Sequence, residues 1–196
     1  ALKAGEKYKL TYRVQITKND ATSDGSIDFK NKARSGNEND DWTTHFEARI
    51  SKDGSYNADT DKITWTVTIN NPYGQNLNGS KVVDTITKGG ATIVGNVTLT
   101  QTKDENNQTS NAVIDSLIAP YPSKNGFEYT FGDARGKEYQ FTYVTSAPKD
   151  TDGKFLKVHN DSTIKIDGKD YTAGKDVTPH DRKWNFNKSP TGKFTS

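Results

Sequence analysis

The chain has 196 residues, with no Cys, no Met, and 27 basic against 25 acidic residues for a formal charge of +2. The absence of cysteine excludes disulfides, thiol catalysis and Cys-ligated zinc, and the dispersed, balanced charge leaves no basic patch for nucleic acid. A hydrophobic fraction of 30% and a mean hydropathy of −0.93 are low, but nine Tyr, eight Phe and three Trp supply a core, as in antiparallel sheets that bury one face.

The elements read as strands almost throughout. Tyr8, Leu10, Tyr12, Val14 and Ile16 alternate with polar residues, as do Ile63, Trp65, Val67 and Ile69 in "KITWTVTIN". "SKVVDTI" at 80–86 is a further strand, with Val82, Asp84 and Ile86 on one face. "AVIDSLIAPYP" has helix-like spacing through Val113, Leu117 and Ile118 and predicts one short helix ended by prolines. Phe127, Tyr129 and Phe131 alternate on one strand, and Tyr139, Phe141 and Tyr143 on the next. The intervening "GDARGKE" predicts a hairpin turn, and Asn-Gly at 78–79 and 125–126 marks further turns. No apolar run is long enough to span a bilayer and no signal peptide is present, so no membrane insertion is expected. The initial Ala, in place of Met, favours a fragment.

The chain repeats itself. "GEKYKLTY" at 5–12 matches "GKEYQFTY" at 136–143, an offset of 131, and "FKNKA" at 29–33 is answered by "VHNDS" at 158–162. A polar linker with Trp42 or Trp184 follows each, and "ISKDGSY" at 50–56 has a looser echo in "FNKSPTGKF" at 186–194. The expectation is a tandem array: residues 1–48 end one module, 49–172 form a complete module, and 173–196 are a linker entering a third.

Three polar residues of the complete module sit in apolar phase. Lys52 shares its face with Ile50, Asp84 with Val82 and Ile86, and Asn160 with Val158, Ser162 and Ile164. An isolated buried carboxylate or ammonium is costly, but together the three form a chemical set. Desolvation favours the neutral forms of both an amine and a carboxyl. A neutral lysine is a nucleophile, and a protonated carboxyl can polarise an amide carbonyl and shuttle protons. Attack of Lys52 on the side-chain amide of Asn160 would expel ammonia and leave an isopeptide bond, with the fold supplying the proximity.

"ISKDGSYNADTDKITWTVTINN", then "VVDTI", then the "VHN" strand resembles the isopeptide-forming, immunoglobulin-like modules of Gram-positive collagen adhesins and related surface proteins. Lys52, Trp65, Asp84 and Asn160 match that pattern in order and approximate spacing over about 49–170. The resemblance implies an all-β immunoglobulin-like antiparallel sandwich in a tandem array, with a Lys52–Asn160 cross-link promoted by Asp84 as proton shuttle. It also implies Asn31 and Lys188 as counterparts in the flanking modules, although "NKSP" around Lys188 departs from the pattern. It implies no cofactor and no turnover enzyme, but an extracellular, cell-wall-anchored surface protein. The expected partner is a host matrix protein such as collagen, or else the neighbouring modules of a spacer, stalk or pilus. A covalent clamp between first and last strands would also serve where cysteine is absent.

Rival sites are weaker. The aromatic stripe reads as the inner face of a sheet sooner than as a stacking platform. His45, His159 and His180 lack metal spacing, and "DTDG" at 150–153 and "NADTDK" at 57–62 are acidic turns without a complete calcium loop.

Overall fold

The computed structural model describes residues 27–35, 38–46, 49–121 and 123–182. Eleven strands run in chain order: β1 (Ile27–Ser35), β2 (Glu38–Phe46), β3 (Ile50–Asn57), β4 (Lys62–Asn70), β5 (Lys81–Lys88), β6 (Val97–Lys103), β7 (Thr109–Ile118), β8 (Gly126–Thr130), β9 (Glu138–Ser146), β10 (Val158–Ile166) and β11 (Lys169–Val177). One sheet has the order β3-β4-β9-β6-β7 and the other β11-β10-β5-β8, while β1 and β2 pair as a two-stranded sheet. The pairings are antiparallel. The result is an immunoglobulin-like β-sandwich, and no helix among the described residues is long and apolar enough to cross a membrane.

Strict alternation builds the core. Ile63, Trp65, Val67 and Ile69 of β4 are fully buried, as are Val82 of β5, Leu99 of β6 and Phe141 of β9. The Trp65 indole is satisfied by donating to Thr145 Oγ1 at 3.0 Å, as a buried indole requires. Aromatic rings interlock between the two sheets. Phe127 meets Phe141 at 5.4 Å and Tyr143 at 5.3 Å, and Phe131 meets Tyr139 at 5.2 Å, centroid to centroid.

Three expectations are revised. The helix expected around Val113 is the strand β7. It is the edge of its sheet, and its pairing with β6 carries several register shifts. Bulges break the period of two, so apolar residues fall at helix-like intervals, and Val113 and Ile114 are both largely exposed. The hairpin expected across "GDARGKE" is a crossover, because β8 pairs with β5 and β9 with β4 and β6. The two aromatic rows therefore face each other across the sandwich. Finally, the module end expected at 172 falls inside β11, which pairs with β10 as far as Val177. Val177 is buried, and beyond it His180 packs on Tyr56 at 5.5 Å while Arg182 pairs with Asp59.

The β10–β11 hairpin turns on Asp167-Gly168, both at positive φ (49° and 76°), the signature of a two-residue type I′ turn. β1 and β2 are likewise separated by two residues. Their bounds map onto those of β10 and β11, from Ile27 to Val158 and from Phe46 to Val177, each an offset of 131. This matches the offset of the sequence repeat.

Candidate functional site

Lys52, Asp84 and Asn160 come from three strands and meet inside the sandwich. On β3 the alternation buries Ile50 and Lys52 and exposes Ser51 and Asp53. On β5 it buries Val82, Asp84 and Ile86. On β10 it buries Val158, Asn160, Ser162 and Ile164. A bulge between His159 and Asn160 in the pairing with β5 sets Asn160 opposite Ile86 and Ser162 opposite Asp84. Lys52 extends from the edge strand of the other sheet, which lies along β10 and β11.

The side chains of Lys52 and Asp84 are completely inaccessible to solvent. Lys52 Nζ donates to Asp84 Oδ2, to Ser162 Oγ at 2.7 Å and to Tyr143 OH at 2.9 Å. Ser162 Oγ donates in turn to Asp84 Oδ2 at 2.5 Å. Asn160 Nδ2 donates to the same Tyr143 oxygen at 2.8 Å. The lysine amine and the asparagine amide are therefore no further apart than two hydrogen bonds end to end. The Trp65 and Tyr143 rings flank Nζ, with centroids at 5.4 and 5.5 Å. Two acceptors, Asp84 Oδ1 and Asn160 Oδ1, are buried with no hydrogen-bond partner among the described residues.

Burial pushes the Lys52 amine below its ordinary value, with Asp84 opposing the shift. Burial, then the charge of Asp84, holds the Tyr143 phenol well above its usual range. Passing a proton from Nζ to Asp84 turns an ion pair in an apolar pocket into a neutral pair, relieving the desolvation of two charges. A proton on Asp84 would also give the carboxyl a hydrogen to donate, which a site with two orphaned acceptors lacks. The arrangement can thus present a neutral amine, a carboxyl acid and an amide in one dry pocket.

Tyr143 and Ser162 complete the site and are absent from the sequence-derived set. Ser162 carried a signal, being polar in apolar phase. Tyr143 carried none, because its ring belongs to the aromatic core and the hydroxyl is invisible to periodicity. Asn31 lies on β1 opposite Trp42, as Ser162 lies opposite Ala173. In the hairpin frame it therefore falls on the position of Ser162, and Phe29 on that of Asn160. Lys188 lies outside the described residues.

The acidic turns fold onto their own backbone. Asp150 Oδ1 accepts from the amides of Asp152 at 3.0 Å and Lys154 at 2.8 Å, and Asn57 Oδ1 from that of Asp59 at 2.8 Å, as in Asx-type turns.

No family model matches the sequence, and no curated protein matches it. Among solved structures, the collagen-binding domain of a Staphylococcus aureus adhesin aligns with a TM-score of 0.51 at 16% identity, over 68% of this chain and 99% of that domain. ACE19, the collagen-binding subdomain of the Enterococcus faecalis surface protein ACE, aligns at 0.48 and 12% identity over 68% and 99% of the two chains. The C-terminal domain of the Streptococcus pyogenes antigen I/II-family protein AspA aligns at 0.48 and 15% identity, over 80% and 54%. At such identities the likeness is one of fold, and the first carries it.

Proposed function

We propose that this chain carries a surface-adhesin module whose strands β3 and β10 become joined by an isopeptide bond between Lys52 and Asn160. The observation that supports this reading is the buried meeting of Nζ, the Asp84 carboxyl and the Asn160 amide around shared partners. Lys52 first gives a proton to Asp84. Nζ then adds to Asn160 Cγ while the carbonyl oxygen takes a proton from Asp84. Collapse of the tetrahedral carbon returns that proton to Asp84, transfers one proton from Nζ to Nδ2, breaks the bond from Cγ to Nδ2 and releases ammonia. The reaction is single-turnover and calls for no cofactor.

The expected partner is an extracellular matrix protein of collagen type, supported by the fold shared with a collagen-binding adhesin domain. The setting is the exterior of a Gram-positive cell, anchored to the wall by a part of the protein outside these residues. A second reading, a stalk or pilus spacer without its own ligand, is favoured by the 131-residue offset between the two hairpins. Such a period is what a tandem array produces. Asn31 would then stand at the Ser162 position of the preceding module's site, and Lys188 would be the lysine of the following one.

Intact mass tests the chemistry. The chain should weigh one ammonia less than its sequence, and Lys52→Ala, Asp84→Ala and Asn160→Ala should each restore the full mass. A wild-type mass equal to the sequence sum would sink the proposal. Binding to immobilised collagens separates the two readings, since a cross-linked module that binds none of them is a spacer.

A further inference from the structure

The transfer of a proton from Nζ to Nδ2 needs a carrier. Once Nζ has added to Asn160 Cγ, the attacking nitrogen carries a surplus proton and the leaving nitrogen lacks one. Asp84 Oδ2 accepts from Nζ and from Ser162 Oγ, and the carboxylate also engages the Tyr143 phenol, but Asn160 Nδ2 donates elsewhere. Its partner is Tyr143 OH at 2.8 Å, and that same oxygen accepts from Lys52 Nζ at 2.9 Å. The ring is held rigidly, buried on β9 and packed against Phe127.

We propose that Tyr143 is a catalytic residue of the cross-linking reaction, relaying a proton from the attacking amine of Lys52 to the departing amide nitrogen of Asn160. In the starting amide, Nδ2 is planar and its lone pair is delocalised, so it can only donate to the phenol. After addition the carbon is tetrahedral and the Nδ2 lone pair is free to accept. The phenol then gives its proton to Nδ2 and takes one from Nζ. The bond from Cγ to Nδ2 breaks, ammonia leaves, and the tyrosine is neutral before and after. Asp84 handles the carbonyl oxygen, and Tyr143 handles the nitrogens. A phenol held firmly protonated suits a relay that must never rest as phenolate.

This inference rests on the isopeptide reading, and the experiment keeps the two failures apart. Intact mass is followed at isolation and during incubation for wild type, for Tyr143→Phe, and for a chain with 3-fluorotyrosine placed at position 143 alone. If wild type shows no ammonia deficit, the parent reading fails. If wild type is fully cross-linked, Tyr143→Phe should be isolated largely at full mass and react at least tenfold more slowly. The fluorinated phenol, which keeps ring and hydroxyl, should restore the reaction. Protease resistance equal to that of unreacted Asp84→Ala certifies that the Phe variant is folded. Cross-linking of Tyr143→Phe at the wild-type rate overturns the proposal. So does failure of both the Phe and fluorotyrosine chains to react, which would assign the effect to packing instead of the hydroxyl.

Discussion

Asp84 offers its two oxygens to different tasks. Oδ2 receives Lys52 and Ser162, while Oδ1 is buried and unengaged. Ser162 is thus a positioning residue that holds one oxygen so that the other is available. Removing it should leave a buried carboxyl short of a donor. In chains kept unreacted by Asn160→Ala, Ser162→Ala is expected to lower stability by about 1–3 kcal/mol in denaturant titrations. A change below about 0.5 kcal/mol, the range of inconsequential surface substitutions, would refute this role. At this scale the sequence was informative about phase and silent about touch. Period two placed Lys52, Asp84 and Asn160 inward on their strands. It could not show that a tyrosine from a fourth strand would join them, because a core tyrosine and a core phenylalanine alternate alike.

Among the elements, the seam between β3 and β11 depends on one residue without a side chain. A Cβ on Gly54 would stand 2.6 Å from Val177 Cγ2 and 2.7 Å from the Trp65 ring. Gly54→Ala should therefore push the edge strand off the core and cost about 1–3 kcal/mol, read as a lowered thermal midpoint. An unchanged midpoint would mean that the seam is looser than it stands here. The β10–β11 hairpin carries a pH dependence on its outer face. His159 bonds Asp176 at 2.8 Å and Asp161 at 3.0 Å, and Lys157 also pairs with Asp176. Its imidazole is raised by Asp176 first, with Asp161 adding and burial opposing. A raised folded value means that this contribution is complete below an ordinary pKa of about 6.5 and is lost as pH rises through the folded value. The stability gap between wild type and His159→Gln should accordingly shrink from pH ~5 to pH ~9, and a gap constant across that range would contradict the assignment. Central strands were legible because both neighbours enforce alternation. The edge strand β7 was misread because bulges disturb its phase and its residues need not choose a face.

For the whole molecule, alternation announced a β-sandwich but not which strand joins which sheet, so the β8–β9 crossover looked like a hairpin. Closing the loop from Lys52 to Asn160 should stabilise the module by about 5 kcal/mol in the chain-entropy account of cross-links. Wild type should accordingly melt well above Asp84→Ala and outlast it under protease. Equal melting of a demonstrably cross-linked chain would discount the clamp. The bulge beside Asn160 gives this closure a further meaning. A one-residue slip of β10 against β5 would turn His159 and Asp161 inward and carry the amide out to solvent. A slipped chain thus holds no reactive trio and stays free to unfold and try again, whereas the correctly paired chain seals itself. Under the proposed chemistry the bond proofreads strand register, and the native pairing becomes the one that cannot be revisited.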